Sequence, residues 1–251
     1  MPFRAAFDCL WCGRPHTTRG TDDLEGWARL CPDCLGKAGD NEFLRFRLHR
    51  ALSERAQAAD SPDDEDDWLL RRGRYAHGPI HDTAWAAELD AAGRWLDALP
   101  IGGRIVELRA GTGWWSPLLA GRGELSAFDA RPAFLDRARE RLVAHGLRAH
   151  LHVRAATDEP EGPPADAVVA AFLLGGAGPT DRAELMAVAR RWLAPGGLLA
   201  TIDTTDDLPA GRSVAGFDAD VLRGLLGAAG LDSAEVTATG RFLLLGRATA
   251  P

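Results

Sequence analysis

At 251 residues the chain has room for one large domain plus a small appendage, and its 46% hydrophobic content is ordinary for a globular protein with a core. Its net charge of −7 argues against bulk attraction to nucleic acid. No apolar run approaches the roughly 20 residues needed to span a bilayer, and no long apolar signal segment opens the sequence, so a cytoplasmic location without a membrane partner is expected.

All four cysteines lie in the first 34 residues, as Cys9-Leu-Trp-Cys12 and Cys31-Pro-Asp-Cys34 with 18 residues between the pairs. Two C-x2-C pairs at this spacing are a zinc-site pattern, because each tight turn offers two thiolates to one tetrahedral ion. Two disulfides would be unusual in a cytosolic chain, and a redox dithiol needs only one pair. The expected ligands are therefore Cys9, Cys12, Cys31 and Cys34 around a structural Zn2+, with His16 left over as a surface residue. Such a closed site leaves no open coordination position for catalysis. Residues 1–60 hold nine Lys/Arg and nine Asp/Glu, so the ribbon lacks a basic stripe for phosphates. A structural or protein-contacting module is the expectation. Residues 42–59 have helical spacing, with Phe43, Phe46, Leu48 and Leu52 as apolar positions.

The acidic run around Ser61-Pro62 reads as a solvated linker over 61–74. It separates the ribbon module, 1–60, from a larger domain, 75–251. A helix is expected over 83–99, stopped by Pro100 and Gly102-Gly103. Strands are expected at 104–108, 124–129, 148–153, 165–172, 197–203, 233–237 and 241–247. They alternate with helices at 114–120, 132–145, 180–193 and 217–229. This order implies an α/β, doubly wound, mostly parallel seven-stranded sheet, and the short final connection Ala238-Thr239-Gly240 implies a terminal antiparallel hairpin.

The most informative stretch is Val106-Glu107-Leu108-Arg109-Ala110-Gly111-Thr112-Gly113. A glycine turn brings backbone N–H groups close to a ligand, and an acid after the next strand can bind ribose hydroxyls. That acid is Asp129, sixteen residues beyond Gly113. The pair points to a nucleoside cofactor.

With these motifs in order, followed by Asp166-Ala-Val-Val169, Leu193-Ala-Pro-Gly-Gly197 and Ala228-Ala-Gly-Leu231, the chain resembles a class I S-adenosylmethionine (SAM)-dependent methyltransferase over about residues 75–248. The resemblance implies that Glu107, Gly111 and Gly113 belong to the loop around the methionine part of the cofactor, and that Asp129 takes the ribose. It implies that Ala155 and Phe172 follow the third and fourth strands beside the adenine and the acceptor. Tyr75 lies in the segment that often covers the cofactor. A dehydrogenase is less favoured, because the loop lacks full G-x-G-x-x-G spacing.

The chain departs from the family pattern at three places. Arg109 stands where Gly or Ala is usual, and its geometry suits a carboxylate. The end of the third strand, Val153-Arg-Ala155-Ala-Thr157, has no acid where many relatives place Asp for the adenine amine, although Asp158 is nearby and could serve from a shifted register. Gly176 lies where relatives often carry a polar or aromatic residue. Methyl transfer needs position and a deprotonated acceptor, and His77 and His81 are the candidate bases. Trp114 and Trp115 are candidates for lining the pocket. A small-molecule acceptor suits an acidic protein with a capped pocket. Two other readings stay open: a non-catalytic methyltransferase-like zinc-binding scaffold, and a SAM-binding enzyme running a different reaction.

Overall fold

The computed structural model describes residues 6–8, 14–17, 61–76, 78–205 and 216–251. Near the N-terminus, β1 (Ala6–Asp8) and β2 (Pro15–Thr17) pair antiparallel, with Phe7 opposite His16. The four cysteines and His77 lie outside the described residues.

Residues 62–69, expected in a solvated linker, form a helix, α1 (Pro62–Leu69). Its start is built by local chemistry. Ser61 caps it by accepting from the Asp64 N–H at 3.1 Å, Pro62 occupies the first turn, and Asp63, Asp64 and Glu65 complement the positive end of the helix dipole. Its C-terminal turn buries Trp68 and Leu69 in the core. A 3-10 turn over Gly73–Tyr75 leads to α2 (Pro79–Ala98), which buries Trp85, Leu89, Ala92 and Leu96 along one face. The Trp85 indole N–H donates to the Leu69 carbonyl at 2.7 Å, tying α2 to the end of α1.

The large sheet follows as β3 (Gly103–Leu108), α3 (Ser116–Ala120), β4 (Gly123–Asp129), α4 (Pro132–Ala144), β5 (His150–Val153), β6 (Ala165–Ala171), α5 (Pro179–Trp192), β7 (Leu193–Thr204), α6 (Ala219–Ala228), β8 (Asp232–Ala238) and β9 (Leu243–Thr249). Its strand order is β5-β4-β3-β6-β7-β9-β8. The five strands β3 to β7 pair in parallel, while β9 runs antiparallel to both neighbours. The seven strands and the closing hairpin are those expected from the alternation of elements.

Central strands are buried on both faces, so they read as continuous small and branched apolar runs such as Ala167-Val168-Val169-Ala170. Alternate residues feed two cores. Ile105, Val169 and Ile202 pack with Trp68, Trp85 and Leu96 on one face. Val106, Val168 and Leu199 pack with Met186, Leu222 and Leu226 on the other. One acid on α2 pins the far end: the Glu88 carboxylate accepts from the backbone N–H groups of Arg241, Phe242 and Leu243 and from the Thr239 hydroxyl, at 2.7–2.9 Å. It fixes the β8–β9 connection against the helical layer.

Candidate cofactor-binding site

From β3 the chain steps outward to β4 and β5, then returns to β6 on the other side of β3. The carboxyl ends of β3 and β6 therefore diverge at a topological switch point, where open α/β sheets bind ligands. A cleft lies there. It is lined by Arg109 and Ala110 after β3, Trp114 and Trp115 before α3, Ala171 and Phe172 at the end of β6, and Glu65, Trp68 and Leu69 from α1.

The glycine turn has the backbone its sequence demands. Gly111 (φ 58°) and Gly113 (φ 75°) are left-handed. A Cβ on Gly113 would lie 2.7 Å from the Ala138 Cβ and 2.8 Å from its Cα, so α4 packs directly on this glycine. The turn and the acid of the next strand are joined by hydrogen bonds. The Ala110 N–H donates to the Phe128 carbonyl at 2.9 Å, and the Gly111 N–H donates to Asp129 Oδ2 at 3.0 Å. Asp129 also accepts from the Arg131 backbone N–H and from its guanidinium, at 2.9–3.0 Å. Burial alone would raise the Asp129 pKa, but the Arg131 side chain and these N–H donors together hold it below the ordinary aspartate value. Asp129 is thus a fixed, ionised carboxylate.

Glu107 is buried under the turn and accepts from the Ser116 hydroxyl at 2.5 Å. Burial pushes its pKa up to about 7; the Ser116 bond opposes this and the nearby Asp129 charge adds to it. It steadies the turn from below and does not line the cleft.

Arg109 is half-buried and takes a left-handed backbone (φ 55°), which explains why glycine suits this position. Its guanidinium turns inward, across the cleft, and donates to the carbonyl of Phe172, itself left-handed at φ 55°. Beneath this loop lies Asp203, fully buried at the end of β7, where it accepts from the Leu174 and Gly175 N–H groups at 2.8 and 3.0 Å. Burial raises its pKa to about 7 against the opposing pull of those N–H groups and of Arg109 and Arg182.

Of the expected cofactor residues, Arg109 and Phe172 line the cleft, while Gly111, Gly113 and Asp129 lie outside its lining, with Gly111 next in sequence to the lining residue Ala110 and hydrogen-bonded to Asp129. Tyr75 is buried outside the lining. Ala155 is half-buried and its N–H donates to Asp158 Oδ2 at 2.9 Å, which places Asp158 on that loop. Gly176 is exposed. His81, on α2, sits beside Phe242 with ring centroids 6.1 Å apart and does not line the cleft. Both Trp114 and Trp115 line it, while Trp115 also packs into the core.

Sequence reasoning missed Glu65, Trp68, Leu69 and Arg131. A signal for the first three was present. Ser61-Pro62-Asp63-Asp64 followed by Trp68-Leu69-Leu70 is a capping sequence with Pro in the first turn before an apolar run.

Residues 105–197 match the family model of a methyltransferase domain. No curated protein matches the chain. Solved structures share its fold. One, described as a DhpI complex with SAH, is 24% identical, with a TM-score of 0.56, over 77% of this chain and 99% of the other. The apo form of SibL, described as an S-adenosylmethionine-dependent methyltransferase, is 18% identical at a TM-score of 0.57, over 89% and 78%. A protein from Bordetella parapertussis, described as a possible exported protein, is 18% identical at 0.63, over 82% and 87%. The described part of this chain contains no helix long and apolar enough to cross a membrane.

Proposed function

We propose that this protein transfers a methyl group from SAM to a nucleophilic atom of a small molecule. One observation carries the reading: Asp129, ionised and held by the Gly111 N–H, stands beside a left-handed glycine turn at the switch point of the sheet. That pairing supplies a carboxylate for ribose hydroxyls next to a backbone that a ligand can approach closely. When bound, SAM supplies the activated methyl group.

The chain's own residues bind and shield. Asp129 would hold the ribose and the Gly111–Gly113 turn the amino-acid part, with Phe172, Trp114 and Trp68 excluding water. A small-molecule acceptor is supported by the enclosed aromatic lining and the net negative charge. A neighbouring structure described by its SAM and HEP complex, at 22% identity, accords with such an acceptor. Among the described lining residues only Glu65 can take a proton. His77 and His81 enter as bases only through the segment before β3. Asp129→Ala is expected to weaken SAM binding at least tenfold while the fold is retained, since an ionised acceptor for two hydroxyls is lost. Unchanged affinity would remove the ribose assignment.

The second reading, a non-catalytic scaffold, is favoured by one observation: the cleft is narrow, with a cavity volume of about 20 Å3. SAM binding with no methyl loss toward any small-molecule acceptor would instead favour a different SAM chemistry.

For the N-terminal module we propose structural zinc held by Cys9, Cys12, Cys31 and Cys34. The antiparallel pairing of β1 with β2 supports this, because Cys9 and Cys12 fall in the connection between the two strands. The proposed organisation is a zinc module over 1–60, a joining segment over 61–74 that packs through α1, and the catalytic domain over 75–251. Protein contact through the zinc module and a cytoplasmic location complete the proposal.

A further inference from the structure

The face of the glycine turn is already engaged by a carboxylate of the chain itself. Glu65 reaches from α1 to accept from the Thr112 N–H at 3.0 Å through Oε1, and Oε2 lies 3.6 Å from the Arg131 guanidinium. The same guanidinium grips Asp129, so the ribose acid and the turn are bridged by one internal network. A Cβ on Gly111 would collide with Glu65 Oε1. The close approach that glycine permits at this turn is therefore used by Glu65. The cleft beside Glu65 leaves about 20 Å3, room for little more than one water.

We propose that Glu65 is an internal competitor for the cofactor seat and that α1 is a strap which must release the glycine turn before SAM enters. This rests on the SAM reading given above. The strap has a latch and an anchor. Its acidic face is latched to the basic face of α4: Asp63 pairs with Arg137, Asp66 lies 3.8 Å from Arg137, and Asp66 pairs with Arg141 at 2.8 Å. Arg141 also donates to the Thr112 carbonyl, so the latch reaches the turn itself. The anchor is Trp68 and Leu69, buried in the core and held by the Trp85 N–H. Lifting the first turns while this end stays fixed frees Thr112 and Gly111 and uncovers Asp129. The apparent affinity for SAM is then reduced by the fraction of molecules with the strap released, and substitutions that weaken the latch raise that fraction.

The test is calorimetric titration of the full-length protein with SAM and with S-adenosylhomocysteine. Glu65→Ala is expected to bind about tenfold tighter than wild type, and Glu65→Gln, which keeps an acceptor for Thr112 but loses the charge facing Arg131, to fall between the two. Arg137→Ala, on an exposed ion-pair partner outside the turn, is expected to tighten binding about two- to threefold, the scale of surface pairs. It keeps the test open if Glu65→Ala melts early. Wild-type binding with Glu65→Ala and Arg137→Ala unchanged or weaker would overturn the strap and leave the SAM reading standing. No binding by wild type or by any of these variants would overturn both.

Discussion

Gly113→Ala should lower the melting temperature by about 4–20 °C, because two independent costs fall on one methyl group. The first is conformational. At φ 75° an L-residue in the left-handed region costs roughly 1–2 kcal/mol. The second is steric. The new Cβ would lie 2.7–2.8 Å from Ala138, partly against backbone, so α4 must shift, and overpacking of this kind costs roughly 1–3 kcal/mol. The sum, roughly 2–5 kcal/mol, converts at about 2–4 °C per kcal/mol for a chain of this size. Gly146→Ala is the control. It has a similar φ of 69° but nothing within 4 Å of its would-be Cβ, so only the conformational cost applies. Thermal unfolding followed by calorimetry reads both. Equal melting temperatures for the two variants would refute the claim that α4 packs on the turn.

Stability should fall between about pH 4 and 7. Glu107 and Asp203 have folded pKa values near 7, above their unfolded values, so the folded state keeps protons that the unfolded chain loses as pH rises. The shifts correspond to roughly 3 kcal/mol of lost stability for Glu107 and roughly 4 kcal/mol for Asp203 by pH 8, and Glu107→Gln together with Asp203→Asn should flatten this slope in denaturant melts. Elemental analysis of protein purified without chelator should find one zinc per chain, lost with reduced solubility in Cys31→Ala; unchanged metal content would refute the zinc module.

The sheet was legible because its signals are redundant. Runs such as Val168-Val169-Ala170 mark doubly buried strands, and glycine and proline punctuate them. The site was legible where it depends on local backbone chemistry, as at Gly111, Gly113 and Asp129. It was not legible where side chains arrive from distant elements. Arg131 pairs with Asp129 and approaches Glu65, and nothing in local periodicity announces that convergence. The segment around Glu65 reads as solvated because its acids outnumber its apolar residues. Yet Asp63 and Asp66 face Arg137 and Arg141, and a charge run with a complementary partner becomes a docked helix. Arg109 shows the opposite case. Its departure from glycine was visible, but only the fold shows the guanidinium turned in to the Phe172 carbonyl.

The most direct measurement is titration of wild-type protein with SAM, followed by heat and by tryptophan fluorescence, since Trp68, Trp114 and Trp115 line the cleft. Saturable binding at one site per chain, with a fluorescence change and loss of affinity in Asp129→Ala, is the predicted result. A folded protein that shows neither heat nor fluorescence change at millimolar SAM would contradict the account.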